Sequence, residues 1–274
     1  TDDEFAEMWK NATFVFDANV LLDIYRYSSK TSEELLQVLR DLRDRLWIPH
    51  QFALEYHQNM EMVVTSTPSV YRETIKNLVK IEDELLETYK ILNSLKKRTG
   101  LVEEVENWKK QIAESIHKVT QEIIEAEKLH QERLDDFDIP SEIAEIFSSL
   151  IGEEYASDKL NEIYKEGKQR YANEIPPGYK DNGKNNNKYG DLVGWKQMID
   201  YANETKKPII FVTGDGKEDW FRNIHGKKSV HPQLRKEMKT ESDVEFYAYL
   251  TPKFTKYAKE YLDSKISDEA LNEI

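Results

Sequence analysis

Two short apolar runs, far apart in the chain, each lead into an aspartate. Phe14-Val15-Phe16 runs straight into Asp17, and Ile209-Ile210-Phe211-Val212 runs through Thr213-Gly214 into Asp215. Both are continuously apolar and rich in β-branched and aromatic residues, the composition of a buried parallel strand rather than a half-exposed one. In open parallel sheets, ligands bind beyond the carboxyl ends of the strands. Two carboxylates brought there from distant segments imply an acidic site, most simply one for a divalent metal.

The segments after Asp17 keep the same rhythm. Ala18-Asn19-Val20-Leu21-Leu22 reads as a turn opening a helix, and a second helix is expected from Ser32, with Leu35, Leu36, Leu39 and Leu42 on its apolar side. Leu46-Trp47-Ile48-Pro49 reads as a short strand stopped by proline, and a helix carrying Phe52, Glu55 and Tyr56 follows. This β-α-β-α alternation belongs to a parallel α/β sheet.

The middle of the chain differs. From about residue 69 to 172 nearly every residue suits a helix, and this stretch is read as an insertion within a single domain spanning 1–274. Ile75, Leu78, Leu85, Tyr89 and Leu92 recur at three- and four-residue steps, broken at Glu82, and Val105, Trp108, Ile112, Ile116, Val119 and Ile123 resume the spacing after Gly100. The pattern predicts two long antiparallel helices joined at Gly100, a hairpin of coiled-coil character. Packing against the parent sheet and docking of a partner both accommodate that spacing. Shorter helices are expected around 141–150 and 157–171. Ile175-Pro176-Pro177-Gly178-Tyr179 can be neither helix nor central strand. Beyond it come a polar loop, a helix opening at Asp191, a strand at 244–250 and a helix over 252–262.

At 274 residues the chain can bury a sizeable core. It contains no cysteine, which excludes disulfides, thiolate metal sites and thiol nucleophiles. No window approaches the roughly 18 apolar residues of a membrane span. The opening Thr1-Asp2-Asp3-Glu4-Phe5 has neither a basic region nor an apolar signal core, so a soluble, cytoplasmic protein is expected. A net charge of −13 opposes encounter with a polyanion, although a local basic patch outweighs the sum.

Four acids stand out: Asp17 after the first strand, Glu55 on the following helix, Asp191 at a helix N-terminus, and Asp215 after the later strand, with Asp219 four residues on. Hard divalent cations prefer such oxygen ligands, and with one or two cations the set becomes a site that activates water for phosphodiester cleavage. Each has a plainer reading when taken singly. Asp17 and Asp191 suit helix caps, Asp215-Gly216 suits a turn, and Glu55 suits a solvated surface. Phe16-Asp17-Ala18-Asn19 and Gly214-Asp215-Gly216 also resemble the ends of a haloacid-dehalogenase-type phosphohydrolase. That chemistry needs an acid two residues after the nucleophile, and Asn19 cannot shuttle the proton.

The motifs Phe14 to Asp23, Trp47 to Tyr56, Pro176-Pro177-Gly178-Tyr179, Tyr189 to Trp195 and Phe211 to Trp220 resemble the PIN-like domain family, in the bacterial subgroup with a long helical insertion. The resemblance implies an α/β fold with three layers, α/β/α, around a central parallel sheet. It also implies a metal-dependent endonuclease using magnesium or manganese and acting usually on RNA. Carried onto this chain, Asp17 is the shared metal ligand, Glu55, Asp191 and Asp215 complete the acidic set, Asp219 supports it, and Asn19 is a polar neighbour. Many relatives are toxins or parts of antiphage defence. Gly214 departs from the pattern, where an acidic or polar residue is expected beside Asp215.

For a nucleic-acid substrate, Lys180, Lys184, Lys188 and Lys217 are the expected phosphate contacts, with Lys168, Arg170, Lys227 and Lys228 nearby. Tyr179, Tyr189 and Trp220 are expected stacking faces. The insertion between Glu55 and Asp191 is the expected place for a regulatory ATPase or antitoxin to act. A non-catalytic partner-binding module is the remaining alternative. No residue identifies a 2′-hydroxyl contact, so RNA rests on the resemblance alone.

Overall fold

Both apolar runs are strands. A computed structural model describes residues 2–100, 102–136 and 138–274. The chain opens with α1 (Asp2–Asn11), β1 (Thr13–Phe16), α2 (Ala18–Asp23) and α3 (Ser29–Asp41). The long helices α4 (His50–Thr99) and α5 (Val102–Asp136) follow, then α6 (Ile139–Ile146), α7 (Ser157–Ala172) and α8 (Gly190–Thr205). The remainder is β2 (Ile209–Thr213), β3 (Phe221–Ile224), β4 (Lys227–Val230), α9 (Pro232–Ser242), β5 (Phe246–Leu250), α10 (Thr251–Tyr261) and α11 (Asp268–Glu273). No described helix is long and apolar enough to cross a membrane. The chain divides into two units, Thr1–Glu61 with Ile139–Ile274, and Met62–Asp138.

In the first unit β1, β2 and β5 form a parallel sheet in the order β1-β2-β5, with Phe14 opposite Ile210 and Val212 opposite Tyr249. Side chains alternate between its faces. Phe14, Phe16 and Tyr249 point one way, and Trp9 of α1 and Phe254 of α10 pack there, with Phe254 5.2 Å from Phe16. Phe211 and Phe246 point the other way, against Phe52 of α4 at 5.7 Å and Trp195 of α8 at 4.9 Å. Helices thus cover both faces, which is the three-layer α/β/α arrangement and explains why the strands read as unbroken apolar runs.

Three local differences from the sequence expectation have physical causes. Residues 46–48 touch the sheet through a single parallel bridge, Phe14 with Leu46, while Ile48 bridges to Ile151 outside the sheet. Pro49 has no N–H to extend the ladder. The helix expected at Ser32 starts earlier, because Ser28 accepts a hydrogen bond from the Thr31 N–H and caps α3. Ser32 is buried instead, its hydroxyl donating to the Ile24 carbonyl at 2.6 Å. The antiparallel pair β3 and β4 was not anticipated. It turns on His225 and Gly226, both at positive φ (50° and 79°), the conformation a two-residue hairpin loop requires.

The second unit is the helical hairpin. Tyr71, Ile75, Leu78, Leu85, Tyr89 and Leu92 of α4 are half-buried, as are Val105, Trp108, Ile112, Ile116 and Ile123 of α5. Tyr71 packs on His130, Arg72 pairs with Glu127 at 3.7 Å, and the Tyr89 hydroxyl donates to Glu106 at 2.7 Å. Ascending numbers on α4 meet descending numbers on α5, so the helices are antiparallel. Gly100, with φ 75°, turns the chain. Val119 lies on the exposed side, and Thr120 takes its place in the half-buried seam.

Candidate active site

Because Phe16 pairs with Val212, Asp17 and Thr213 leave the sheet side by side. The Thr213 hydroxyl donates to Asp17 Oδ2 at 2.7 Å, and Asn19 Nδ2 donates to the same oxygen at 2.6 Å. Asn19 Oδ1 accepts from the Gly214 N–H at 2.7 Å, which ties the two strand ends together. Asp17 occupies the N-cap position of α2, yet its side chain makes no capping bond. The capping reading therefore does not account for it. At 9% exposure, burial pushes the Asp17 carboxyl up to about 7, with Glu55 and Asp215 adding repulsion against the Thr213 hydrogen bond.

Asn19 is fully engaged as a bridge, its amide donating to Asp17 and accepting from Gly214. That geometry, like the chemistry of an amide, leaves no acid/base role of the dehalogenase kind. Gly214 has its own reason. A Cβ there would stand 3.2 Å from Asn19 Oδ1 and 3.3 Å from Asp23 Oδ2, so an acidic side chain would crowd both.

Glu55 lies near the start of α4, where its Oε1 accepts from Gln51 Nε2 and Asn187 Nδ2, both at 2.8 Å. The first turn of α8 comes close to it. A Cβ on Gly190 would lie 2.4 Å from Glu55 Oε1 and 2.6 Å from the Asn187 amide, so a larger residue there would push these side-chain ends out of their present hydrogen bonds. Asp191 Oδ2 accepts from the indole Nε1–H of Trp220 at 3.3 Å. Burial raises the Asp191 carboxyl well above the usual range, and the charges of Asp17, Glu55 and Asp181 add to it.

Asp215 Oδ1 accepts from the Lys217 N–H at 3.0 Å, and the Lys217 ammonium pairs with Asp215 at 2.6 Å and with Asp181 at 2.9 Å. Asp181 was not anticipated. It is a buried acid in the polar loop, also held by Lys184 at 2.6 Å. Burial opposes its charge, but Lys184 and Lys217 outweigh that and keep the carboxyl below the usual range. Asp219 is fully buried and faces the Pro176-Pro177-Gly178 turn, which contains a cis peptide bond. Its Oδ2 accepts from the N–H groups of Gly178 and Lys180 at 3.1 and 3.2 Å. Its Oδ1 is buried with no hydrogen-bond partner among the described residues.

The expected phosphate contacts divide. Lys217 and Lys184 are paired to the acids just described, and Lys180 pairs with Glu218. Lys188 lies over the Tyr189 ring at 5.4 Å. Arg170 is buried and bonds both carboxylate oxygens of Glu237 at 2.7 Å. Trp220 is core rather than a stacking face, packed 4.7 Å from Phe211.

Four segments thus bring Asp17, Glu55, Asp191 and Asp215 into one electrostatic neighbourhood, with the charge of one acid raising the proton affinity of another. All the donors are carboxylate oxygens, the chemistry that suits a hard divalent cation. Among the described residues, no three acids or histidines are drawn together around a point that would hold a metal ion. The donor chemistry fits such an ion.

A family model described as a PIN-like domain matches residues 13–237. No curated protein and no solved structure matches the chain.

Proposed function

The chain belongs to the PIN-like domain family, whose members are in general nucleases using divalent metals, and from that premise we propose that it is a metal-dependent endonuclease acting on RNA. The observation that carries the reading is the convergence of acids at the carboxyl edge of the sheet, where Asp17 and the Thr213-Gly214-Asp215 turn leave paired strands tied by hydrogen bonds and the first turn of α8, with Asp191, closes on Glu55. Buried acids that repel one another are costly without a compensating cation. Magnesium or manganese, as one or two ions, is the proposed cofactor, and when bound it supplies charge neutralisation and an activated water. The residues of this chain do the rest. Asp17, Glu55, Asp191 and Asp215 hold the ion, Thr213 and Asn19 orient Asp17, and Trp220 orients Asp191. Asp219 supports the set by fixing the turn at Gly178 and Lys180.

In this reading Lys217 and Lys184 have a dual character. Without substrate they neutralise Asp215 and Asp181, and with substrate they exchange those partners for phosphate, joined by Lys180 and Lys188. The family resemblance supports a role as toxic effector of an antiphage or toxin–antitoxin system. An ATPase or antitoxin acting on the helical hairpin is the matching form of control. Deleting residues 73–125 tests that control: unchanged folding and unchanged cellular toxicity remove it.

The test of the activity is incubation with single-stranded RNA, transfer RNA, and single- and double-stranded DNA, in manganese, magnesium or chelator. We expect metal-dependent cutting of RNA that is lost, by a factor of about 100 or more, in Asp17→Asn. A folded Asp17→Asn protein that cuts as fast as its parent sinks the site assignment.

A further inference from the structure

A second concave surface of the first unit, about 400 Å³ in volume, is lined by β3, β4, β5 and the start of α10. Two contacts tie it to the acidic site. Leu250, on its lining, pairs with Thr213 in the β2–β5 register, and Thr213 is the residue bonded to Asp17. Neighbouring strands are about 4.8 Å apart, so the groove begins one strand away from that residue. At its other side the Lys228 ammonium donates to the Gly216 carbonyl at 2.7 Å, one residue past Asp215.

Its charge runs against that of the molecule. Lys227, Lys228 and Lys253 line it, and no carboxylate does. Among the described residues none of the three is ion-paired, unlike Lys180, Lys184 and Lys217. Lys253 stands over the rings of Tyr249 and Tyr257, 5.5 Å from each centroid. A larger concavity of about 550 Å³ beside Trp47 shows the opposite balance, with Glu153, Glu154, Asp200 and Glu204 against Lys159 alone. In a chain of net charge −13, a lysine-lined groove beside an acidic site is a local reversal of field.

We propose that this groove is a binding track for single-stranded nucleic acid, with Lys227, Lys228 and Lys253 on backbone phosphates and the half-buried Tyr257 ring beside a base. The proposal rests on the nuclease reading for its link to cleavage, but the groove's chemistry stands by itself. Ammonium groups meet phosphates, and a ring face accepts any unpaired base. The track leads from Lys253 past Lys228 to the loop that carries Asp215.

Lys227 and Lys253 are exposed and bear no part of the acidic site, so their substitution leaves the fold intact. Binding of a labelled single-stranded RNA, of the same sequence as DNA and of the annealed duplex is read by anisotropy in chelator, where cleavage cannot interfere, over a range of salt. The Lys227→Ala/Lys253→Ala double variant is expected to bind about tenfold or more weakly, with the salt slope reduced by about 1.4, or 0.7 for each lost phosphate contact. Lys253→Arg is expected to retain binding. Turnover of bis(p-nitrophenyl) phosphate, a diester too small to reach the groove, is expected to be unchanged in the double variant.

Unchanged affinity and salt slope in the double variant overturn the track even if the parent cuts RNA. Equal loss of duplex and single-strand binding overturns its single-strand character. Loss of binding in the variant, together with no metal-dependent cutting by the parent, keeps the track and removes the nuclease reading. No binding of any nucleic acid by the parent removes both.

Discussion

A buried carboxylate surrounded by other carboxylates keeps its charge only where donors are aimed at it. Asp191 has such a donor in the Trp220 indole N–H, 3.3 Å away. Trp220→Phe keeps a ring against Phe211 and Trp195 but removes the donor. Leaving a buried acceptor unmatched costs about 1–3 kcal/mol, so ionised Asp191 becomes harder to form. We expect manganese affinity, measured by calorimetry, to fall about tenfold at pH 7 and to recover as pH rises, with the fold unchanged. Affinity equal to that of the parent across pH would show that Trp220 serves packing alone. The asymmetry between Asp191 and its partner also marks where sequence reading ends. The placement of Asp17 and Asp215 after strands, and of Glu55 and Asp191 near helix starts, was legible because each lies in a recognisable motif. Thr213 was not, since its hydroxyl reaches Asp17 only through the pairing of two strands distant in the chain. Asp181 looked like one more polar loop residue, and nothing local announces that Lys184 and Lys217 converge on it.

Among elements, Arg170 clamps α7 to α9 and to the turn at Pro176 that precedes α8. Arg170 of α7 spans Glu166 on its own helix at 3.0 Å and Glu237 of α9 through two bonds, and it donates to the Pro176 carbonyl. Breaking a buried ion pair by removing one partner costs about 3–5 kcal/mol, because the other charge stays behind. Lys196 of α8 also pairs with Glu237 at 3.5 Å and with Glu166 at 2.9 Å, so we expect Arg170→Ala to lose about 2–3 kcal/mol in urea denaturation and to impair cutting, while Lys168→Ala changes neither. A loss below about 1 kcal/mol would mean that Glu237 is hydrated and the clamp contributes little. Elements whose signal is continuous were visible in advance: the apolar runs of β1 and β2, and the seam of the hairpin. The β3–β4 pair was hidden because Arg222, Asn223, Lys227 and Lys228 are exposed and polar, and only Phe221 turns inward. Its signal was the His225-Gly226 turn, which is weaker than Asn-Gly. The groove lysines went undervalued for the same reason, since a charged pair in an unrecognised strand reads as loop.

For the molecule as a whole, the site is a reservoir of destabilising charge, and pH controls it. Folded Asp17 holds its proton up to about pH 7, against a value of 3.8 where the environment is absent. Between those limits the folded state binds more protons than the unfolded one, so stability falls as pH rises through the window and levels off above it. Asp191, raised in the same direction, deepens the fall. In chelator we therefore expect the melting temperature to decline from pH 5 to pH 8. Asp17→Asn, which cannot ionise, should melt above the parent at pH 8, by a margin on the order of a few kcal/mol in free energy that shrinks toward pH 4. A divalent cation competes for the same charge. At 100 times its dissociation constant it should stabilise the parent by about 2.7 kcal/mol at pH 8 and stabilise the variant far less. The gap between the two melting temperatures in chelator should then narrow on adding manganese. A parent whose stability rises from pH 5 to pH 8 without metal, or a variant stabilised by manganese as much as the parent, would show that Asp17 carries neither the strain nor the ion.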